Sequence, residues 1–500
     1  MTRIQERPSR RLGSRIRKPH RRRHFPLTRR EQGIVGGLSL LLIVAMWTLG
    51  GSQLWSQWLL AAISGSCLVG LFLPLRLLGQ QWESETRAVE QWYRLRRFPL
   101  FWLGLLFLSY ITVQGLNPAW QWTENADYHW LEPIPHIEWL PSGMATPFEQ
   151  MNPFRMLLIM GTIWMAVCAL WAGVRHRRSL LFLFWVVSLN GTLGALTGIL
   201  FKIKGVEKVL GVWTYGYPFL GPFLYENHAA AFWNLCLAVT LGLFLYYQRR
   251  TQLTLAGSGP HIVFLLAGLI LLAGVLFSLS RGGILFAFLT VGAALLPGLI
   301  GSAKGLRRGS VFISFIGLGI FGGLGWGLYQ MVDVEAVQRE YERLWDGFEE
   351  LNEGSRSLMN EATYRMFRDQ KWYGWGAGSF RFYFPTYQQD YPTLWKNGKR
   401  QLFWRYAHND WLQYLAEYGI VGCTLIGLML LYVFSSLIFF YNRLILFNLI
   451  ICLGGCLLLV HALFDFVFQN ISILLTFVMV ATANYQLQRW EAKRNKLNFG

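Results

Sequence analysis

The sequence predicts an all-α polytopic membrane protein of about twelve transmembrane helices, and three observations predict it. Of its 500 residues 53% are hydrophobic and only 15% are charged, too few polar groups to cover the surface of a soluble enzyme. Apolar runs of about 17 to 23 residues recur along the whole chain, each long enough to cross a hydrocarbon core roughly 30 Å thick at about 1.5 Å per residue. Lysine and arginine are distributed unevenly between alternate connecting segments. Helices are the expected spanning form, because unpaired backbone groups are costly in hydrocarbon and the alternating pattern of barrel strands is absent.

The spans are expected near 33–50, 57–74, 98–116, 154–173, 179–201, 229–247, 261–280, 284–300, 310–329, 412–440, 444–464 and 470–487. A basic tail, 1–32, precedes them; residues 1–30 hold twelve Lys or Arg against the single acid Glu6. No small-residue cleavage pattern follows the first span, so the tail reads as an anchor on anionic lipid and not as a signal peptide. The formal net charge of +19 is thus a membrane feature: membrane lipids are expected partners and nucleic acid is not.

The tail, 75–97, 174–178, 248–253, 301–309, 441–443 and 488–500 together carry thirty of the 46 Lys and Arg. By contrast, 51–56 has none, and 117–153 has none against Glu124, Asp127, Glu132, Glu138 and Glu149. Positively charged loops stay in the cytoplasm, so both termini are expected there. Lys202, Lys204 and Lys208 go against the trend, in a segment expected outside. The organisation is therefore a tail (1–32), spans one to nine (33–329), an outside domain (330–411), spans ten to twelve (412–487) and a second cytoplasmic tail (488–500).

The outside domain is too long for a connector. Val334, Val337, Tyr341, Leu344, Trp345, Phe348 and Leu351 recur at helical spacing and predict an amphipathic helix over 333–352. A second helix is expected over 357–371, broken by Gly374, Gly376 and Gly378 and followed by an aromatic run to Tyr387. The Gly-Trp-Gly-Ala-Gly spacing lacks the following helix and the lysine of a phosphate-binding loop, so no nucleotide site is expected. All six cysteines (Cys67, Cys168, Cys236, Cys423, Cys452, Cys456) fall in expected spans and read as small buried side chains; neither a metal site nor a cofactor is expected.

Four clusters could carry chemistry. Ser280, Arg281, Gly282 and Gly283 form a turn between the seventh and eighth spans. A guanidinium there suits a phosphate or diphosphate, a snorkelling interfacial arginine being the alternative. His408 lies where the chain re-enters the membrane and could take a proton from a hydroxyl; Asn409 or Asp410 could instead be a helix cap. Glu417, nine residues on, shares a face with His408 if the helix begins early enough. The segment Gly221 to His228, with Asn227, follows the three lysines. His461 and Asp465, four apart, read as a structural pair or as an added site component.

The stretches Ser280–Arg281–Gly282–Gly283, GWGAGSFRFYF (374–384) leading to Tyr387, HNDWLQYLAEYGIVG (408–422) and GPFLYENHAAAFW (221–233) occur in the order seen in the O-antigen ligase and polymerase superfamily, which the sequence resembles over about 220–425. The resemblance implies a GT-C-like glycosyltransferase of the bacterial inner membrane, with its site on the periplasmic side. It would move a glycan, without a metal, from an undecaprenyl diphosphate carrier to an acceptor hydroxyl on lipid A core, a growing polysaccharide or a protein. It would assign Arg281 to the diphosphate and His408 to acceptor activation or donor positioning. Arg356 and Arg365 are the next choices for the diphosphate. Family members often carry an arginine shortly before the asparagine of the 221–233 motif, whereas here Tyr225 and Glu226 precede Asn227; Lys202, Lys204 or Lys208 could substitute. The alternative from another class is a transporter of a small anion or solute, against which the large outside domain and the absence of an evident internal repeat speak.

Overall fold

A computed structural model describes residues 27–73, 83–125, 129–214, 219–254, 258–303, 353–396, 400–401, 403–440, 442 and 444–499. The described residues are mostly helical, as expected of an all-α membrane protein. Among the described residues seven helices are long and apolar enough to cross a membrane, and four shorter ones are apolar. The span expected at 310–329 and the amphipathic helix expected at 333–352 lie outside the described residues.

The membrane helices follow the expected runs. They are α1 (Arg29–Trp47) and α2 (Leu54–Gly70), then α4 (Pro99–Leu116), α5 (Pro153–Gly173), α6 (Arg177–Ile203), α7 (Glu226–Thr254), α8 (His261–Phe277) and α9 (Arg281–Ala303). Their starts are chemically marked. The Thr28 side chain accepts from the Glu31 N–H ahead of α1, and that of Asn152 accepts from the Arg155 N–H ahead of α5. Pro99 and Pro153 open α4 and α5, where a missing N–H costs nothing.

One helix was not legible as such. Residues 75–97, expected as a connector, contain α3 (Glu83–Arg96). Arg94 reaches from it to the carbonyls of Ala172 (2.7 Å), Trp171 (2.9 Å) and Val174 (3.2 Å), completing the C-terminus of α5 with a cation. At this same end of the bundle the buried Glu31 carboxylate accepts from Ser179 Oγ (2.6 Å) and from the backbone N–H groups of Arg175 and His176, both at 3.0 Å.

At the opposite end a second hydrophobic core forms from segments far apart in sequence. Strands β1 (Pro118–Glu124), β2 (His129–Pro133) and β3 (Gly143–Ala145) make a sheet of order β2-β1-β3, antiparallel between β1 and β2 and parallel between β1 and β3. Trp122 of β1 and Met144 of β3 pack with Met359 and Met366 of α10 (Glu353–Asp369) and Phe380 and Phe384 of α11 (Phe380–Gln388). Two-stranded ribbons, β4 (Lys208–Val209) with β5 (Trp213–Thr214) and β6 (Trp395–Lys396) with β7 (Arg400–Gln401), complete the strands among the described residues. The expected outside domain thus shares its core with the 117–145 segment, an association that no local pattern announces.

The final helices are α12 (Asp410–Phe434), the short α13 (Ser436–Phe439), α14 (Ile445–His461) and α15 (Ile471–Phe499). The single span expected at 412–440 is in fact broken. Gly419 is non-helical (φ 61°, ψ −170°) inside α12, and the backbone groups so released are taken by the chain that follows α10. Trp375 N donates to Ala416 O (2.8 Å) and Gly376 N to Glu417 O (3.0 Å), while Ile420 N donates to Lys371 O (2.8 Å) and Val421 N to Trp372 O (3.1 Å). The break fastens the second core to the bundle.

Candidate functional site

Several expected site residues converge on the loop between α14 and α15, residues 462–470. Phe466 is its hub. Its ring stacks on Tyr225 (5.0 Å, 9°) and on Tyr406 (4.7 Å, 17°), and it meets His408 (4.7 Å, 88°) and His228 (5.0 Å, 85°) edge to face. Its neighbour Asp465 accepts from Asn227 Nδ2 at 2.6 Å, from the Tyr225 hydroxyl at 3.4 Å and from the Phe466 N–H at 2.8 Å. His408 Nδ1 stands 3.8 Å from Asp465 Oδ1. Asn227, His408 and Asp465, some 240 residues apart at the extremes, therefore form one cluster.

Asp410 holds the loop. Its N–H donates to Ala462 O (2.9 Å), and its carboxylate accepts from Phe468 N (2.8 Å) and Gln469 Nε2 (3.0 Å). Asn409 accepts from the Leu412 N–H (3.1 Å) and caps α12, the capping alternative foreseen for this pair. Because α12 begins at Asp410, His408 precedes the helix, in the left-handed region (φ 52°). For a non-glycine residue that is a strained conformation of the sort that clusters at functional sites.

Burial pushes the His408 imidazole down to about 4, opposed by Asp465 and reinforced by the Arg356 charge. At neutral pH it is therefore an uncharged ring. Its buried Nδ1 makes no hydrogen bond among the described residues, and a carboxylate stands just beyond reach. Such a ring can accept a proton and then be steadied by the acid as a cation.

Guanidinium groups lie near the cluster. The Arg356 charge bears on both His408 and Tyr225, and the buried Arg356 Nε has no hydrogen-bond partner among the described residues. Two further arginines were not singled out from the sequence. Arg381 lies over Tyr406 with its Cζ 5.2 Å from the ring centroid. Arg155, anchored by Nε to Gln57 Oε1 at 2.9 Å and by a hydrogen bond to the Glu149 carbonyl, is in electrostatic range of Arg381 and Tyr406. The signal that could have found Arg381 is its place inside GSFRFYF; Arg155 sits at an ordinary helix start and offered none.

The other expected residues fall elsewhere or do structural work. Arg281 is exposed at the first position of α9, beginning a turn in which Ser280 Oγ accepts from Gly283 N (3.2 Å) and Leu279 is left-handed (φ 56°). The turn adjoins the cluster through His461: a Cβ on Gly282 would lie 3.6 Å from His461 Nε2, and His461 packs on Phe286. Thus Asp465 turns its carboxylate to Asn227 and Tyr225 while His461 packs toward the Arg281 turn. Lys202 pairs with Glu226 (3.0 Å) and donates to Phe277 O (2.9 Å), beside that turn, whereas Lys204 is exposed at the end of α6. Arg365 belongs to an exposed group with Glu361 (3.0 Å), Asp390 (3.4 Å) and the Tyr391 ring, on the surface of the second core.

The glycine turn needs a correction. A helix does follow it, α11, contrary to the expectation. Its N–H groups are already committed: Gly376 N and Phe380 N donate to Glu417, at its carbonyl and Oε1 respectively, and Ala377 N to Gln114 Oε1. Glu417, also bonded to Gln413 Nε2 at 3.1 Å, fills the position that an anionic ligand would take and faces away from the early-helix arrangement that would have paired it with His408.

Residues 266–427 match the family model described as O-Antigen ligase. That stretch holds Arg281, Arg356, Arg381 and His408 and excludes Asn227, His461 and Asp465, which complete the cluster from either side. A comparison with curated proteins gives no match.

Proposed function

From the match of residues 266–427 to the O-antigen ligase family model, we propose that the chain is a member of that superfamily and a glycosyltransferase acting on a glycan carried by undecaprenyl diphosphate. The observation that carries this reading is His408 with Nδ1 3.8 Å from Asp465 Oδ1, the Arg356 charge bearing on its ring, and Arg381 and Arg155 grouped at Tyr406, which stacks on the same Phe466. An acceptor hydroxyl oxygen attacks the anomeric carbon of the glycan. The bond from that carbon to the diphosphate oxygen breaks with its electron pair staying on the diphosphate, and the hydroxyl proton passes to His408 Nε2. Asp465, on the Nδ1 side, steadies the imidazolium. Attack opposite the leaving group inverts the anomeric configuration.

Fixed guanidinium groups suit the leaving diphosphate because they stay charged and bind oxygens in pairs. The Arg356 charge bears on His408, Arg381 lies over Tyr406, and the exposed Arg281 begins the turn that adjoins His461. We place the site on the periplasmic face of the inner membrane, since the cluster gathers at the end of the bundle opposite the Arg94, Arg175 and Arg177 end. Lipid A core, a growing polysaccharide or a protein would each supply the hydroxyl.

Replacing Arg281 and His408 singly by Ala and assaying surface glycan tests the reading. His408→Ala should lower transfer by about 10²- to 10⁴-fold, the usual worth of a general base. Two folded variants with full transfer would remove both residues from the mechanism.

A further inference from the structure

A row of aromatic rings leads away from His408 across the second core. Trp404 meets the His408 ring at 6.2 Å and 81°, and its chain neighbour Phe403 stands 6.3 Å from Trp122 of β1 and 6.4 Å from His129 of β2. The row ends in a stack, with the His129 imidazole on the Trp122 indole at 4.5 Å and 22°. Trp122 is buried against Phe382, yet the two rings it supports are open: Phe403 is 47% exposed and His129 is exposed as well. Exposed rings joined in a row, unlike scattered ones, mark a surface that something covers. Charge changes sign along the row. At the His408 end the Arg356 charge bears on the ring, Arg381 lies over Tyr406, and Arg405 is exposed next to Trp404 in the chain. At the sheet end the exposed Glu124 accepts from Trp122 Nε1 at 3.1 Å and from Gln150 Nε2 at 3.2 Å, within a segment, 117–153, of five acids and no Lys or Arg. The row thus begins beside the cations that suit a diphosphate and ends where a phosphate would be repelled.

From this continuity and this charge gradient we infer that the row is an acceptor shelf: it binds a sugar chain that carries no phosphate or other anionic group, and it delivers a hydroxyl of that chain to His408. The inference rests on the transfer reading for what then happens to the hydroxyl. Aromatic faces are electron-rich and attract the weakly positive C–H faces of pyranose rings. Glu124 has four lone-pair positions and spends two on Trp122 and Gln150, so it retains acceptors for sugar hydroxyls. A membrane surface is the poorer occupant, because attraction to anionic lipid takes cations and 117–153 has none. Among the acceptors open to the transfer reading, an uncharged polysaccharide fits the shelf and a phosphorylated core does not. Trp122, Glu124 and His129 lie outside the 266–427 match, so this half of the shelf is not part of what the family model describes.

The test uses the full chain in nanodiscs and saturation-transfer NMR with maltohexaose, isomaltohexaose and chitohexaose as uncharged probes. At least one probe should give signal on its ring C–H protons, and Phe403→Ala and His129→Ala, both at exposed positions, should each weaken its binding by about fivefold or more. No signal from any probe, or equal binding by the parent and both variants, overturns the inference. Phe403→Tyr should keep the binding and Phe403→Leu should lose it. Retention by Phe403→Leu would show a merely apolar face, fit for lipid or a second copy of the chain, and would also overturn the shelf. A phosphorylated form of the bound probe should bind more weakly by about fivefold or more; equal or tighter binding overturns the assignment to uncharged sugars. In transfer assays Phe403→Ala should raise the acceptor KM by about tenfold and leave the donor KM within about twofold, whereas an equal rise in both contradicts an acceptor site. A parent chain that binds a probe through Phe403 yet forms no glycosidic bond refutes the transfer reading while leaving the sugar shelf standing.

Discussion

His408 shows how little of a site's chemistry its one-letter neighbourhood carries. Its position at membrane re-entry was readable, but its acid partner Asp465 comes from a loop that no spacing rule connects to it, and Phe466, which orders four rings, looked like one more apolar residue. The depressed imidazole has a measurable consequence. The proton-accepting form persists above a pKa of about 4, so transfer should hold as pH falls through 6.5 and decline only as it approaches the folded value. The stability sign follows the same shift. Below the ordinary value of about 6.5 the unfolded chain takes up a proton that the folded chain refuses, so acid between those limits favours unfolding. A pH–rate profile of kcat/KM with its acid limb near 6.5 would place an unperturbed histidine at the site. Asp465→Asn should lower kcat by about 10²-fold or more if the carboxylate steadies the imidazolium, and should spare donor KM.

At the scale of elements, the helices were legible because hydrocarbon demands long apolar runs, and their starts fall within about four residues of those expected, marked by caps such as Thr28 and Asn152, whereas α7 and α15 run on past the expected ends to Thr254 and Phe499. What escaped was everything decided by tertiary pairing. Helix α3 is short and polar, and it is held by the α5 carbonyls that Arg94 satisfies. The sheet at 118–145 is built around Trp122 and Met144, whose partners lie more than two hundred residues later. The break in α12 depends on two glycines meeting. A Cβ on Gly374 would lie 2.4 Å from the Glu417 carbonyl carbon, and one on Gly419 would lie 2.3 Å from Trp372 O, both at positive φ. Gly374→Ala and Gly419→Ala should each destabilise by roughly 1–3 kcal/mol or more. Thermal unfolding in detergent checks this: both variants should melt earlier, and parental melting would show the junction to be loose.

At the scale of the molecule, charge and chemistry separate to opposite ends of one bundle. The end with Glu31, Arg94, Arg175 and Arg177 is tied by carboxylate and carbonyl anchors. The other end gathers Asn227, the Arg281 turn, His408 and Asp465. The loop charges pointed to this polarity, since positively charged segments alternate along the chain. They could not show that sequence positions from 155 to 466 meet at one place, because that is a property of helix packing. The central claim is that this end transfers a glycan, and reconstitution measures it most directly. Purified protein in liposomes, given an undecaprenyl diphosphate glycan and a hydroxyl acceptor, should yield the joined glycan and free undecaprenyl diphosphate in equal amounts, and His408→Ala should abolish both. Donor consumed at the same rate by the parent protein and by His408→Ala, or movement of the intact donor across the membrane without cleavage, would contradict it.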